Sequence, residues 1–157
     1  MKLIKYLAIA VMVLGVAAIV IGGVFITEGF MKNNLIVDRM NIEKVSLNLD
    51  PDHPEVFTPI NNAEDAQKAA DTIASHRRTI APTYQDLLAQ GNGRFDPTNL
   101  TDLTYAQAMN LENYLYMAVT AFGLIQVTMA NGAFMIIVGL AIGGTGFALY
   151  RISRVKS

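Results

Sequence analysis

The amino-acid sequence predicts an all-α membrane protein, with two transmembrane helices and a mostly helical extracytoplasmic segment between them that has room for one short strand. Three observations carry this expectation. No charged residue occurs from Tyr6 to Thr27 or from Asn113 to Tyr150, and each run exceeds the roughly 20 residues that an α-helix needs to cross about 30 Å of hydrocarbon. All 13 acidic residues lie between the two runs. Lys2, Lys5, Arg151, Arg154 and Lys156 flank the runs on their outer ends, so the positive-inside rule puts both termini in the cytoplasm and the middle outside a cell membrane crossed twice.

The expected divisions are a cytoplasmic tail at 1–5, a first span at 6–27, an extracytoplasmic region at about 28–130, a second span at 131–150 and a cytoplasmic tail at 151–157. A secretory signal is the competing account of the first run, because Met1 to Lys5 reads as a basic leader and Val16-Ala17-Ala18 fits a cleavage site. Signal cores are usually about 7–15 residues, whereas this run continues to Ile26, so an uncleaved anchor is expected. The chain has no Cys, which removes disulfides and thiolate chemistry.

In the first span, Gly15, Ala18 and Gly22 place small residues close to one face, where another helix can approach closely. From Met31 to Ile60 the helical period fades, and Val45-Ser46-Leu47-Asn48-Leu49 alternates as a strand would. Asp50-Pro51-Asp52-His53-Pro54 then enforces a loop. A helix over about 63–80 follows, with Asn62 as its N-cap and Ala66, Ala69, Ala70, Ile73 and Ala74 as an apolar stripe. A short helix over 82–90 fits Pro82 at its first position and Gly91 just past its end, with Tyr84, Leu87 and Leu88 inward.

Asp96-Pro97, or Thr101 and Asp102, can cap a last helix over 102–130 and into the second span. Its stripe is Tyr105, Ala108, Leu111, Leu115, Ala118, Phe122, Ile125 and Met129. A span of about 20 residues ending at Tyr150 begins at Asn131, which leaves the uncharged stretch from Asn113 to Ala130 as surplus apolar helix. The expectation is one long helix with a kink at Asn131-Gly132, its upper part covered by the ectodomain or by a partner through Leu115, Phe122 and Met129. Gly139, Gly143 and Gly146 lie near one face of the second span, which packs either on the first span of the same chain or on another chain, the second being the preferred reading.

Val45-Ser46, Pro59, Ala63, Ala66, Gln67, Ala70, Ile73, His76, Thr83-Tyr84-Gln85-Asp86-Leu87 and Ala121-Phe122-Gly123 together resemble a family of small two-span bacterial membrane proteins, many of them labelled aromatic ring-opening dioxygenase. The resemblance implies two spans around a helical ectodomain and brings no catalytic residue. The chain departs from the family in having Ala81-Pro82 where a Gly-Gly precedes the Thr-Tyr pair, and in the insertion from Arg94 to Leu100.

A non-haem iron site of the dioxygenase kind needs two His and a carboxylate on one face. The chain has only His53 and His76, one in a Pro-bounded loop and one beside Arg77 and Arg78. Asp50, Asp52, His53 and Glu55 can bind a divalent ion, but a short acidic cluster in a proline turn is more often solvated, so no metal is expected. Asp96, Thr98, Asn99 and Asp102 lack the glycine and terminal Glu of a calcium loop and read as capping residues. Ser75 next to His76 makes no relay, and Gly91-Asn92-Gly93 lacks the Lys-Ser/Thr of a phosphate loop. His76-Arg77-Arg78 is a weak anion-binding candidate. An acidic ectodomain argues against nucleic acid, and neither cofactor nor catalytic group is expected. The leading expectation is a non-enzymatic protein that packs in the lipid bilayer with itself or with other membrane subunits. A ligand-binding or sensing ectodomain is the alternative.

Overall fold

Four helices, α1 (Lys2–Ile42), α2 (Ala63–Ile80), α3 (Tyr84–Gln90) and α4 (Leu100–Val155), make up the fold in a computed structural model that describes residues 2–47 and 56–155. The described residues hold no strand. Of the expected strand at Val45–Leu49, the described part, Val45–Leu47, holds only an isolated antiparallel bridge between Ser46 and Pro59; Asn48 and Leu49, with the Asp50–Pro54 loop, lie outside the described residues. α1 and α4 are both long and apolar enough to cross a membrane. The chain forms two compact units, Met1–Asn33 with Leu124–Ser157, and Asn34–Gly123.

α1 runs on to Ile42, where an extended chain from Met31 was expected. Ile36, Val37 and Met40 recur at helical spacing, and all three pack on the core of the second unit; that burial outweighs the polar residues around them. The helix is stopped by Lys44, whose φ of 49° is left-handed. The Lys44 N–H donates to the Asn41 carbonyl at 3.1 Å and the Val45 N–H to the Met40 carbonyl at 2.9 Å, which satisfies two otherwise orphaned carbonyls.

The second unit is built on a core of Ile60, Ala66, Ala69, Ala70, Leu115, Ala118 and Phe122. Alanines on α2 bring its backbone close to α4, and the larger Leu115 and Phe122 fill the space. α2 begins as expected, with the Asn62 side chain accepting from the Asp65 N–H at 3.0 Å. It ends where Ala81, extended ahead of Pro82, donates its N–H to the Arg77 carbonyl at 3.3 Å.

Two expectations about α3 are corrected. Its N-cap is Thr83, whose hydroxyl accepts from the Asp86 N–H at 3.2 Å, so Pro82 precedes the helix and is not its first residue. Leu87 is buried beside Ala81 and Tyr105, whereas Tyr84 is exposed. At α4, Asn99 is the cap, its side chain accepting from the Thr101 N–H at 2.9 Å, while Asp102 accepts from the Asp96 N–H at 2.8 Å. From Leu100 to Val155 the helical pattern is unbroken through Asn131-Gly132. Every residue of the expected stripe from Tyr105 to Met129 is buried or half-buried.

Candidate functional site

Within the first unit α1 and α4 run antiparallel with their backbones in contact. The buried positions of α1 there are Ala8, Gly15, Gly22 and Gly29, and those of α4 are Ile125, Gly132, Gly139, Gly146 and Ser153. Both sets recur every seven residues, the spacing that keeps one seam facing a partner helix as the two wind around each other. All but two of these residues are Gly or Ala, so the seam closes backbone to backbone. A methyl group added to Gly15 would lie 2.5 Å from the Gly143 nitrogen and 2.7 Å from the Gly139 carbonyl oxygen. One added to Gly22 would lie 2.5 Å from the Gly132 carbonyl oxygen, and one on Gly146 2.8 Å from the Met12 nitrogen.

Gly15, Gly22, Gly139 and Gly146 therefore lie in the seam, backbone against backbone. Ala18 is half-buried at the edge of the seam, and a methyl on Gly143 would meet only the Gly15 Cα, at 3.9 Å. Of the two arrangements open to the second-span glycines, the structure has Gly139 and Gly146 against α1 of their own chain. Gly29 and Gly132 were missed, although their seven-residue offset from Gly22 and Gly139 was visible. Gly29 follows Glu28 and Gly132 follows Asn131, and those polar neighbours hid them.

Leu115, Phe122 and Met129, expected as a partner surface, are covered from within. Leu115 and Phe122 are 3% and 1% exposed in the core of the second unit, and the Met129 side chain fills the space over Gly29. What faces outward on the first unit is bulkier: Leu14, Val16 and Val20 on α1, and Phe134, Ile137, Leu140 and Phe147 on α4.

The second unit buries a cluster of polar side chains around Arg77. Arg77 donates from Nε to Glu112 Oε2 at 2.8 Å, with both side chains 11% exposed. It also donates from Nη1 to the Tyr105 hydroxyl, and its guanidinium lies 5.0 Å from the Tyr105 ring centre. The Glu112 hydrogen bond holds Arg77 above the ordinary arginine range, against the opposing effect of burial. Nearby, the Tyr116 hydroxyl donates to Asp71 at 2.8 Å, and that bond raises the tyrosine above its usual range. Arg77 is thus turned away from the expected anion site, leaving His76 and Arg78 exposed beside it.

Among the described residues no three His, Cys, Asp or Glu side chains gather as metal ligands would; Asp50, Asp52, His53 and Glu55 lie outside them. An open polar hollow of about 560 Å³ lies between Gly91 and Asp102, lined by Arg94, Asp96 and Asn99 among others. Within it Asp96 accepts from the Thr98 N–H and hydroxyl, at 2.8 and 2.6 Å, and these bonds hold its carboxyl below the usual range.

Fold and packing define a class: a glycine-closed antiparallel helix pair in a chain that also carries a small alanine-cored helical unit. No family model matches the sequence, and no curated protein or solved structure matches it either.

Proposed function

We propose that the chain is a non-enzymatic integral membrane protein that acts by helix packing, as a homo-oligomer or as an accessory subunit of a larger membrane complex. In this reading both termini are cytoplasmic and residues about 28–130 are extracytoplasmic, as in the two-span bacterial proteins that the sequence resembles. The observation that carries it is the exposure of the two apolar stretches. Only 11% of the most apolar window of α1 and 17% of that of α4 is covered by the protein itself. A helix that is apolar on all sides has lipid or another membrane helix as its solvent.

Because the glycine seam is occupied within the chain, a partner would meet the outward aliphatic and aromatic side chains. Such a contact depends on shape, since lipid tails are as apolar as the side chains they would leave. Purification from membranes in mild detergent, with mass measurement and identification of co-purifying chains, tests this. A stable multiple of the chain mass, or a constant set of membrane subunits, is the expected result; a bare monomer at all concentrations would count against it. An extracytoplasmic ligand-binding role is the second reading, favoured by the polar hollow between Gly91 and Asp102.

A further inference from the structure

We propose that the polar hollow between α3 and α4 binds a small zwitterion of the amino-acid kind, with its carboxylate held by Arg94 and its ammonium group by Asp96 and Asp102. The proposal rests on the ligand-binding reading given above and names the chemistry of that ligand. Two observations lead to it: the charges that line the hollow, and the burial of one of them.

At about 560 Å³ the hollow has the size of a small-molecule site. Arg94, Asp96 and Asp102 all line it, yet among the described residues no ion pair joins the guanidinium to either carboxylate. Opposite charges that share one hollow without meeting leave a gap between them. A divalent cation in that gap would face Arg94, and a simple anion would face the two aspartates. Only a ligand that carries both signs is met by an opposite charge at each end. Its carboxylate suits the paired donors of the guanidinium, and its ammonium group, which has only donors, finds acceptors on the aspartates. Phe95, half-buried, is the one large apolar side chain of the lining and offers a surface to an apolar side chain of the ligand.

Asp102 is only 8% exposed. One of its oxygens accepts from the Asp96 N–H at 2.8 Å, and no donor among the described residues meets the other. A buried carboxylate with an oxygen to spare gains from a cation that can reach it. Asp96 has the same capacity: both of its bonds from Thr98 go to Oδ1, which leaves Oδ2 for the ligand. Those bonds hold the Asp96 carboxyl below its usual range, so it is charged at neutral pH. The chain around the hollow is pinned as well. The Gly91 and Gly93 N–H groups both donate to the Leu88 carbonyl, at 3.2 and 3.1 Å, and the Asn99 N–H donates to the Asp96 carbonyl at 3.0 Å. The lining is therefore ordered before a ligand arrives, which lowers the entropy lost on binding.

The test uses the purified full chain in mild detergent with a mixture of the common L-amino acids at millimolar concentration, read by saturation-transfer NMR. Transfer to at least one amino acid is expected, the apolar ones first. Arg94→Gln should weaken its binding roughly tenfold or more, the scale of one charge-assisted pair, and the C-terminal amide of that amino acid should bind as weakly. Asp102→Asn, which keeps an oxygen for the Asp96 N–H, and the N-acetylated amino acid should show the same loss at the ammonium end. Arg78→Gln, exposed on α2, should change nothing. Melting temperature checks that each variant is folded; Arg94 makes no ion pair among the described residues, so its variant decides even where Asp102→Asn does not fold. Absence of transfer to every amino acid, unchanged affinity in Arg94→Gln, or equal binding of the amide and N-acetyl forms would each overturn the proposal. Monocarboxylates, monoamines and neutral sugars offered in the same way separate it from the reading it rests on. Binding of one of these, lost in Arg94→Gln, with no amino acid bound, would overturn the zwitterion and keep a ligand-binding unit, whereas silence from every probe would count against both.

Discussion

Gly15 and Gly139 meet backbone to backbone, and the relationship is reciprocal: a methyl group on either would lie 2.7 Å from the carbonyl oxygen of the other. Neither helix can carry a side chain there without moving its partner. The seam continues through Gly22 with Gly132 and through Ala8 with Gly146, so the pair is held by close contact along its length.

Gly15→Ala and Gly139→Ala should each lower the melting temperature in detergent, because separating the helices costs about 1–3 kcal/mol while alanine returns only about 1 kcal/mol of helix propensity. Gly144→Ala is the control. Nothing lies within 4 Å of a methyl at Gly144, so that change should be neutral or mildly stabilising. Equal effects at Gly15 and Gly144 would show that the seam is not closed as described.

Phe122 is 1% exposed in the core of the second unit, and Phe122→Ala should destabilise that unit by about 3–5 kcal/mol. A fragment covering 31–111 lacks Leu115, Ala118 and Phe122 and with them much of that core. It should unfold without cooperativity, whereas a fragment covering 34–123 should show a sigmoidal transition. Calorimetry of the two fragments checks this, and a cooperative transition in the shorter one would refute the assignment of the core.

Arg77 and Glu112 are paired at 2.8 Å with little access to water. Removing either partner leaves the other charge buried, so Arg77→Met or Glu112→Leu should each cost about 3 kcal/mol. The double variant Arg77→Met, Glu112→Leu should cost much less than the two together. Strict additivity in chemical denaturation would show that the pair is solvated and contributes little.

The two-span reading makes a direct prediction about sidedness. A reporter active only in the cytoplasm should work when fused after Ser157, and one active only outside should work when inserted at Asn92, in the turn between α3 and α4. Cytoplasmic activity at Asn92 would exclude the proposed orientation.

Much of the architecture was legible because it rests on local rules. Charge-free runs, the Asn62 cap and the Ala66–Ala74 stripe state their own helices through hydrogen bonding and periodicity, and the α4 stripe from Tyr105 to Met129 is likewise visible as a repeat. Small residues at Gly15, Gly22, Gly139 and Gly146 announced that something approaches closely. Spacing alone could not say what approaches, because a glycine face looks the same whether its neighbour belongs to this chain or to another.

Three features were decided only by tertiary structure. α1 continues to Ile42 because Ile36, Val37 and Met40 find a core to pack on, a gain that local propensity does not contain. Leu115 and Phe122 turn inward because α2 presents alanines small enough to let them fill the gap. The glycine seam closes on itself because the antiparallel register sets one seven-residue repeat against the other, and that register depends on pairing two stretches far apart in the chain, as Gly15 and Gly139 are. The sequence by itself therefore determined the apolar runs and most of the helical segments, the stretch from Met31 to Ile42 excepted, while the tertiary structure determined which face of each is spent within the chain and which is left for lipid or a partner. The physical reason is that helix formation and hydropathy are properties of neighbouring residues, whereas close packing belongs to a pair of surfaces and exists only once both are in place.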